Sequence, residues 1–222
     1  MTQPTFTRFP IRPQKPTPDT NLIVGIILPL YRMMEEDIAA LADKLAAQMT
    51  TEYLKTIQTQ LQLYGCNRPA SGPDAISQRW ITGKSKTDAA GIARTYNREL
   101  ENKIRMLYEA NPRGNRSYYY KNLDAWAAAR NQWKLPSIAL NTAQAIRQYA
   151  QQRFRDENGI SGRYIFTGPA PVCSVCISRK ALGVVTLEMT KKYPFPAHPG
   201  CVHSWSEITP KKIPCDETTW TG

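Results

Sequence analysis

Three of the chain's five cysteines and both of its histidines fall within residues 173–203, and this crowding constrains the fold more than anything else in the sequence. Cys173-Ser-Val-Cys176 is a C-x-x-C step, in which two thiolates reach one tetrahedral ion from a tight turn. His198-Pro-Gly-Cys201-Val-His203 then adds three more donors. If the chain is extended from Cys201 to Ile208, Cys201 and His203 share a face, because strand side chains alternate with a period of two. The turn at Pro199-Gly200 lets His198 present a ligand as well. Five donors therefore compete for four places. The preferred set is Cys173, Cys176, Cys201 and His203, with His198 as substitute or outer partner. A redox C-x-x-C normally opens a helix after a βαβ-type strand, whereas Pro171 precedes this one and no such unit surrounds it. The expected cofactor is Zn2+, and four protein ligands make a closed, structural site without the open position that Lewis-acid catalysis needs.

Other catalytic patterns are missing. No H-E-x-x-H occurs. Neither histidine precedes the C-x-x-C step or has Glu two residues on, as a zinc deaminase requires. With both histidines inside the cluster, no separate His is left to activate a Ser or Cys nucleophile. The sequence reads as non-enzymatic.

The 222 residues are 41% hydrophobic, enough for a real core. Five of the 17 prolines lie in the first twenty residues, so residues 1–30 read as an extended, proline-rich arm. No early apolar core marks a leader peptide, and the run Leu22–Leu30 is about half a membrane span, so no membrane partner is expected. Clustered cysteines point to a metal in a reducing cytoplasm, with isolated Cys66 and Cys215 as free thiols.

Residues 31–158 read as a helical domain of about four helices. Ile38, Leu41, Leu45, Met49, Tyr53, Ile57, Leu61 and Tyr64 recur at three- and four-residue steps on a helix from Tyr31 to Tyr64. A short helix is expected over Asp74–Ile81, and another from Thr87 as N-cap to Ala110. A third long helix spans Tyr118–Trp133, and Pro136-Ser137 opens a fourth long one that stops at Asn158-Gly159. Trp126 and Trp133 read as core or interface aromatics. From Gly159 the character changes. Arg163–Thr167, Gly183–Leu187 and Cys201–Ile208 are strand candidates in a zinc-stabilised β module over residues 159–209, with Trp205 packed over the metal. Residues 210–222 form a polar tail. The class is α+β: a mainly helical bundle, a small C-terminal zinc-tied β module and an N-terminal arm.

The formal charge is +11, and between Ser77 and Arg155 fifteen Lys or Arg face five acids. Such a field favours polyanions or acidic protein surfaces. Arg113, Arg116, Tyr118 and Lys121, with Arg147, Arg153 and Arg155 further on, are candidate nucleic-acid contacts through phosphate pairing and stacking. The competing expectation is that Tyr118–Tyr120 pack on the bundle while the arginines stay solvated.

Val172-Cys-Ser-Val-Cys176, the Gly183-Val-Val step and Pro196-Ala-His198-Pro-Gly-Cys201-Val-His203 together resemble the C-terminal signature of phage Mu F-like head-morphogenesis (minor head) proteins. That family carries a C-x-x-C, a short loop with Asp-Gly and a Pro-x-His-Pro-x-Cys-Arg-Cys run. Here His203 stands for the last cysteine, Val202 for the arginine and Leu182-Gly183 for Asp-Gly, and Ala170-Pro171 replaces the usual acidic residue. The detailed likeness covers about the last sixty residues. It implies a minor capsid protein of a tailed bacteriophage, assembled in the host cytoplasm and located near the portal. It further implies a role in head morphogenesis and several copies per virion, with portal protein, major capsid protein and packaged DNA as partners. The alternative is a zinc-containing nucleic-acid-binding protein, and behind it a metal-dependent nuclease of the ββα-metal kind.

Overall fold

Apolar steps of three and four residues give each long helix one face to bury, and the computed structural model shows where those faces meet. It describes residues 27–171, 173–195, 197, 201–208 and 213. Helix α1 (Leu28–Tyr31) is a single turn, with Pro29 at a position where no backbone N–H is needed. Helix α2 (Glu35–Leu63) opens with Glu35, Glu36 and Asp37, acids that complement the positive end of the helix dipole. Helices α3 (Ala75–Ala110) and α4 (Arg116–Glu157) follow. Strand β1 (Arg163–Thr167), helix α5 (Ser174–Lys180), strand β2 (Val185–Thr186), helix α6 (Leu187–Lys192) and strand β3 (Ser204–Glu207) complete the described chain. The protein is α+β: mainly helical, with a small antiparallel sheet near the C-terminus in the order β2-β1-β3. Most of the arm expected over residues 1–30 lies outside the described residues. Its last part is not extended: Leu28–Tyr31 is helical, and Ile27 and Leu28 are buried.

Two expectations about helix breaks fail. The segments Asp74–Ile81 and Thr87–Ala110 are one helix, α3, and those on either side of Pro136 are one helix, α4. Gly83 costs a helix only about 1 kcal/mol, and a favourable N-cap at Thr87 does not oblige the chain to stop there. Pro136 costs about 3 kcal/mol through its missing N–H and its ring clash. The burial of Thr142, Ile146, Ala150 and Phe154 on the same helix offsets that loss. Both sites still mark joints. The described chain forms two compact units, one comprising the residues up to Leu41 with Thr87–Lys134, the other Ala42–Lys86 with the residues from Leu135 onward. The long helices thread both.

In the first unit Leu100, Ile104 and Leu107 of α3 and Tyr119 and Leu123 of α4 enclose Ile27 and Leu28. Asn97 bridges the break between α1 and α2, accepting from the Met33 N–H at 2.9 Å and donating to the Met33 carbonyl at 3.2 Å. Arg130, buried, pairs with Glu99 at 2.5 Å and lies over the Tyr96 ring.

The core of the second unit is Met49, Tyr53, Ile57 and Leu61 of α2 with Ile81 of α3 and Ile146, Ala150 and Phe154 of α4. Asp74 starts α3 by accepting the Ser77 N–H at 2.7 Å, and Arg153 of α4 binds its other oxygen at 2.6 Å. The region from residue 159 onward packs on these helices rather than standing apart. The Tyr64 hydroxyl donates to Glu207, Arg155 lies over the Tyr164 ring, and Lys191 pairs with Asp156 at 2.9 Å. The β1 register sets Phe166 opposite Trp205 and Tyr164 opposite both Val185 and Glu207. Of the tail, Ile213 is described, and it packs on the helical core, donating its N–H to the Tyr64 carbonyl.

Candidate metal centre

The module's own core is Tyr164, Cys176, Val185, Phe195, Cys201 and Trp205, with Cys173 partly buried against it. Sheet and helices deliver the sulfur atoms to one point. Cys173 is the N-cap of α5 and its Sγ accepts the Cys176 N–H at 3.3 Å, so the C-x-x-C step opens a short helix rather than sitting in a plain turn. Cys201 and His203 lie just ahead of β3, before the strand begins.

Cys176, Cys201 and His203 form a set whose ligand atoms all lie within 4.8 Å of one another, and this group can hold a metal ion. The thiols of Cys176 and Cys201 are almost completely buried, and neither they nor Cys173 is in a disulfide. The separations are those of atoms arranged around a common centre. Cys176 Sγ to Cys201 Sγ is 3.6 Å and Cys201 Sγ to His203 Nδ1 is 3.5 Å. Tetrahedral geometry with Zn–S of about 2.3 Å and Zn–N of about 2.0–2.1 Å places such pairs at about 3.8 Å and about 3.5 Å.

His203 is held for this task. Its Nε2 lies 3.1 Å from the Pro169 carbonyl and its Nδ1 3.5 Å from Cys201 Sγ, so that with a metal bound Nε2–H would donate to that carbonyl and Nδ1 would be free to ligate. Phe166 lies against one side of the ring at 4.8 Å between centroids. Gly168 makes the approach possible: with φ of +131°, it leaves no space for a side chain, since an added Cβ would stand 2.7 Å from His203 Cδ2. Trp205 is buried in the same cluster and donates its indole N–H to the Tyr193 carbonyl at 2.8 Å.

The two buried sulfurs differ electrostatically. Burial pushes the Cys176 thiol up to about 12, reinforced by the neighbouring sulfurs of Cys173 and Cys201. Burial also acts against ionisation of Cys201, but hydrogen bonds from the Ala197 and His203 backbone and from the His203 and Cys176 side chains bring it down to about 7. A bound cation would favour the thiolate form of both.

Cys173 remains outside the mutually close set, although it touches Cys176, and His198 lies outside the described residues. Cys66 corrects an expectation: it is disulfide-bonded, not a free thiol. The candidate nucleic-acid contacts divide between the two units. Arg113, Arg116, Tyr118 and Lys121 belong to the first unit and Arg147, Arg153 and Arg155 to the second. Tyr118 packs edge-on to buried Tyr119, Arg147 pairs with Glu52 at 3.1 Å, and Arg153 is engaged by Asp74 and Glu157. Trp133 is not core: it is 61% exposed, with the Lys134 ammonium over its ring. Among the described residues no helix is long and apolar enough to cross a membrane. Comparison with known protein families, with curated proteins and with solved structures yields no match.

Proposed function

We propose that the chain is a non-enzymatic structural protein whose C-terminal module is tied together by Zn2+, and that it serves as a minor head protein in tailed-phage assembly. The observation that carries the metal reading is the buried convergence of Cys176, Cys201 and His203, with His203 oriented by Pro169. Soft thiolates with one imidazole, at tetrahedral spacing, fit Zn2+ better than an oxygen-seeking ion such as Mg2+ or Ca2+. Cys173 is the nearest donor for the fourth place, one short shift from its neighbour Cys176, and His198 is the alternative. A small sheet whose strands are two to five residues long gains most of its independent stability from such a tie. A fourth protein donor would close the site, which then supports the fold and leaves no position for substrate.

The assembly role is supported by the order C-x-x-C, Gly-Val-Val, Pro-x-His-Pro-Gly-Cys-Val-His, the likeness to minor head proteins given above. A strongly basic chain is also suited to acidic capsid surfaces or packaged DNA. Metal analysis of the purified protein tests the first half, with about one zinc per chain expected in wild type and far less in Cys176→Ser and His203→Ala. On chelation the near-ultraviolet signal of the Trp205 environment should collapse while the far-ultraviolet helical signal largely persists. A well-folded wild-type protein without metal would remove the metal reading. Co-expression with portal and capsid proteins tests the second half: co-sedimentation with particles supports it. Failure to associate with any head component, in a zinc-loaded protein, refutes the minor-head role and leaves the metal site standing.

A further inference from the structure

Beside the metal centre, with His203 in its wall, a cavity of about 190 Å3 lies between α4 and the module. From it we infer a second site of different chemistry: an oxyanion-binding pocket, anchored by Arg155, that takes a phosphoryl group. Arg155 is only 6% exposed, yet its Nε has no hydrogen-bond partner. Its guanidinium carbon lies 4.5 Å from the centre of the Tyr164 ring. Among the described residues Arg155 forms no ion pair with an acid: Asp156 pairs with Lys191, and Glu207 accepts from the Tyr64 hydroxyl. A buried guanidinium without a counter-charge is costly unless something neutralises it.

The cavity walls say what that something is. Arg147 and Arg155 both line it, with Gln144, Gln148, Gln151 and Ser204 among their polar neighbours, and none of the lining residues is Asp or Glu. Gln144 Oε1 is also buried without a partner. A half-turn of that amide places its NH2 there instead, adding a donor. Donors thus arrive from several directions, from three successive turns of α4 and from the start of β3. That arrangement suits a tetrahedral oxyanion, and guanidinium groups bind phosphate in a forked geometry. The volume lies below the roughly 300–1,000 Å3 of sites that enclose drug-sized ligands, so the pocket takes a phosphoryl group and not a whole nucleotide. Arg147 stays paired with Glu52 at one edge, which leaves Arg155 as the unsatisfied anchor. The group can be free phosphate or a phosphodiester presented by a nucleic acid.

The test uses full-length, metal-loaded protein. Inorganic phosphate is titrated calorimetrically, and thermal midpoints are compared in phosphate and in chloride at matched ionic strength. Wild type should bind phosphate and melt higher in it, while Arg155→Met should bind at least tenfold more weakly and lose the phosphate-specific shift. Arg155→Met should also fold, since it replaces an unpaired buried charge with an apolar chain. A single-stranded oligonucleotide added to the phosphate complex then separates the two sources: displacement identifies a phosphodiester site, and persistence identifies a site for free phosphate. No phosphate-specific shift in wild type, or an equal shift in Arg155→Met, overturns the proposal. A structural role for Arg155 alone would appear as a lower melting point of Arg155→Met in chloride with phosphate binding intact.

Discussion

Gly168→Ala tests the geometry of the metal centre without touching a ligand. At this position an alanine meets two separate penalties. Its φ of +131° lies where side chains are strained, a cost of about 1–3 kcal/mol. Its Cβ would stand 2.7 Å from His203 Cδ2 and 3.3 Å from the His203 Cα, so the imidazole must move. Moving it disturbs the contact of Nε2 with the Pro169 carbonyl at 3.1 Å, and loss of such an outer partner typically lowers metal affinity ten- to a hundredfold. Gly183→Ala is the matched control. Its φ is +67° and nothing lies within 4 Å of the added Cβ, so it carries the strain of about 1–2 kcal/mol and nothing more. Zinc affinity is read by competition with a chromophoric chelator on both variants, and stability by urea unfolding of the loaded proteins. Both variants should be less stable than wild type, but only Gly168→Ala should bind zinc tenfold or more weakly. Equal zinc affinity in the two variants would refute the argument that the bare backbone at Gly168 sets the position of His203.

Two further outcomes follow from the packing. Alkylation in denaturant and chelator should modify Cys173, Cys176 and Cys201 without reductant and Cys66 only after reduction; modification of Cys66 without reductant would show that it is not in a disulfide. Asp74→Ala should cost about 1–3 kcal/mol of helical stability, about 0.5–2 from the lost cap on α3 and about 0.2–1 from the partly exposed pair with Arg153. Burial works to raise the Asp74 carboxyl, but the bonds from Ser77 and Arg153 outweigh it and hold it below the ordinary value. Its contribution is therefore complete above about pH 4 and is lost as pH falls through the depressed folded value. Urea unfolding followed by far-ultraviolet signal, in chelator, should show the gap between wild type and Asp74→Ala closing below about pH 4. A gap unchanged down to pH 2 would show that the carboxylate charge is not what Asp74 contributes.

Much of the fold follows from local pattern. The stripe from Ile38 to Tyr64 could be placed in advance because a helix face is a matter of spacing: its residues from Leu45 onward are buried, and Ile38 and Leu41 are partly so. Strand β1 matches its predicted residues, since a short β-branched and aromatic run between glycines has little else to become. The donor cluster was legible for the same reason: Cys, Cys, Cys and His within thirty residues carry their chemistry in their identities. Local signals misled where they were weak against tertiary burial. Thr87 and Pro136 read as ends of helices, and the chain runs helical through both while changing from one compact unit to the other there.

What the sequence by itself determined is the list of groups and their periodicities: amphipathic helical spacing through the middle of the chain, a basic middle and a set of soft ligands. Only the tertiary structure decided which of them meet. It selected Cys176, Cys201 and His203 as the close set, because α5 and the segment before β3 bring those atoms together while Cys173 caps the helix. It bound Cys66 in a disulfide, paired Arg147 and Arg153 with acids, and buried Arg155 without one. A residue's type and spacing are local properties, but its counter-charge and its exposure are set by atoms far along the chain. For that reason three arginines that look alike in sequence have different electrostatic settings in the fold.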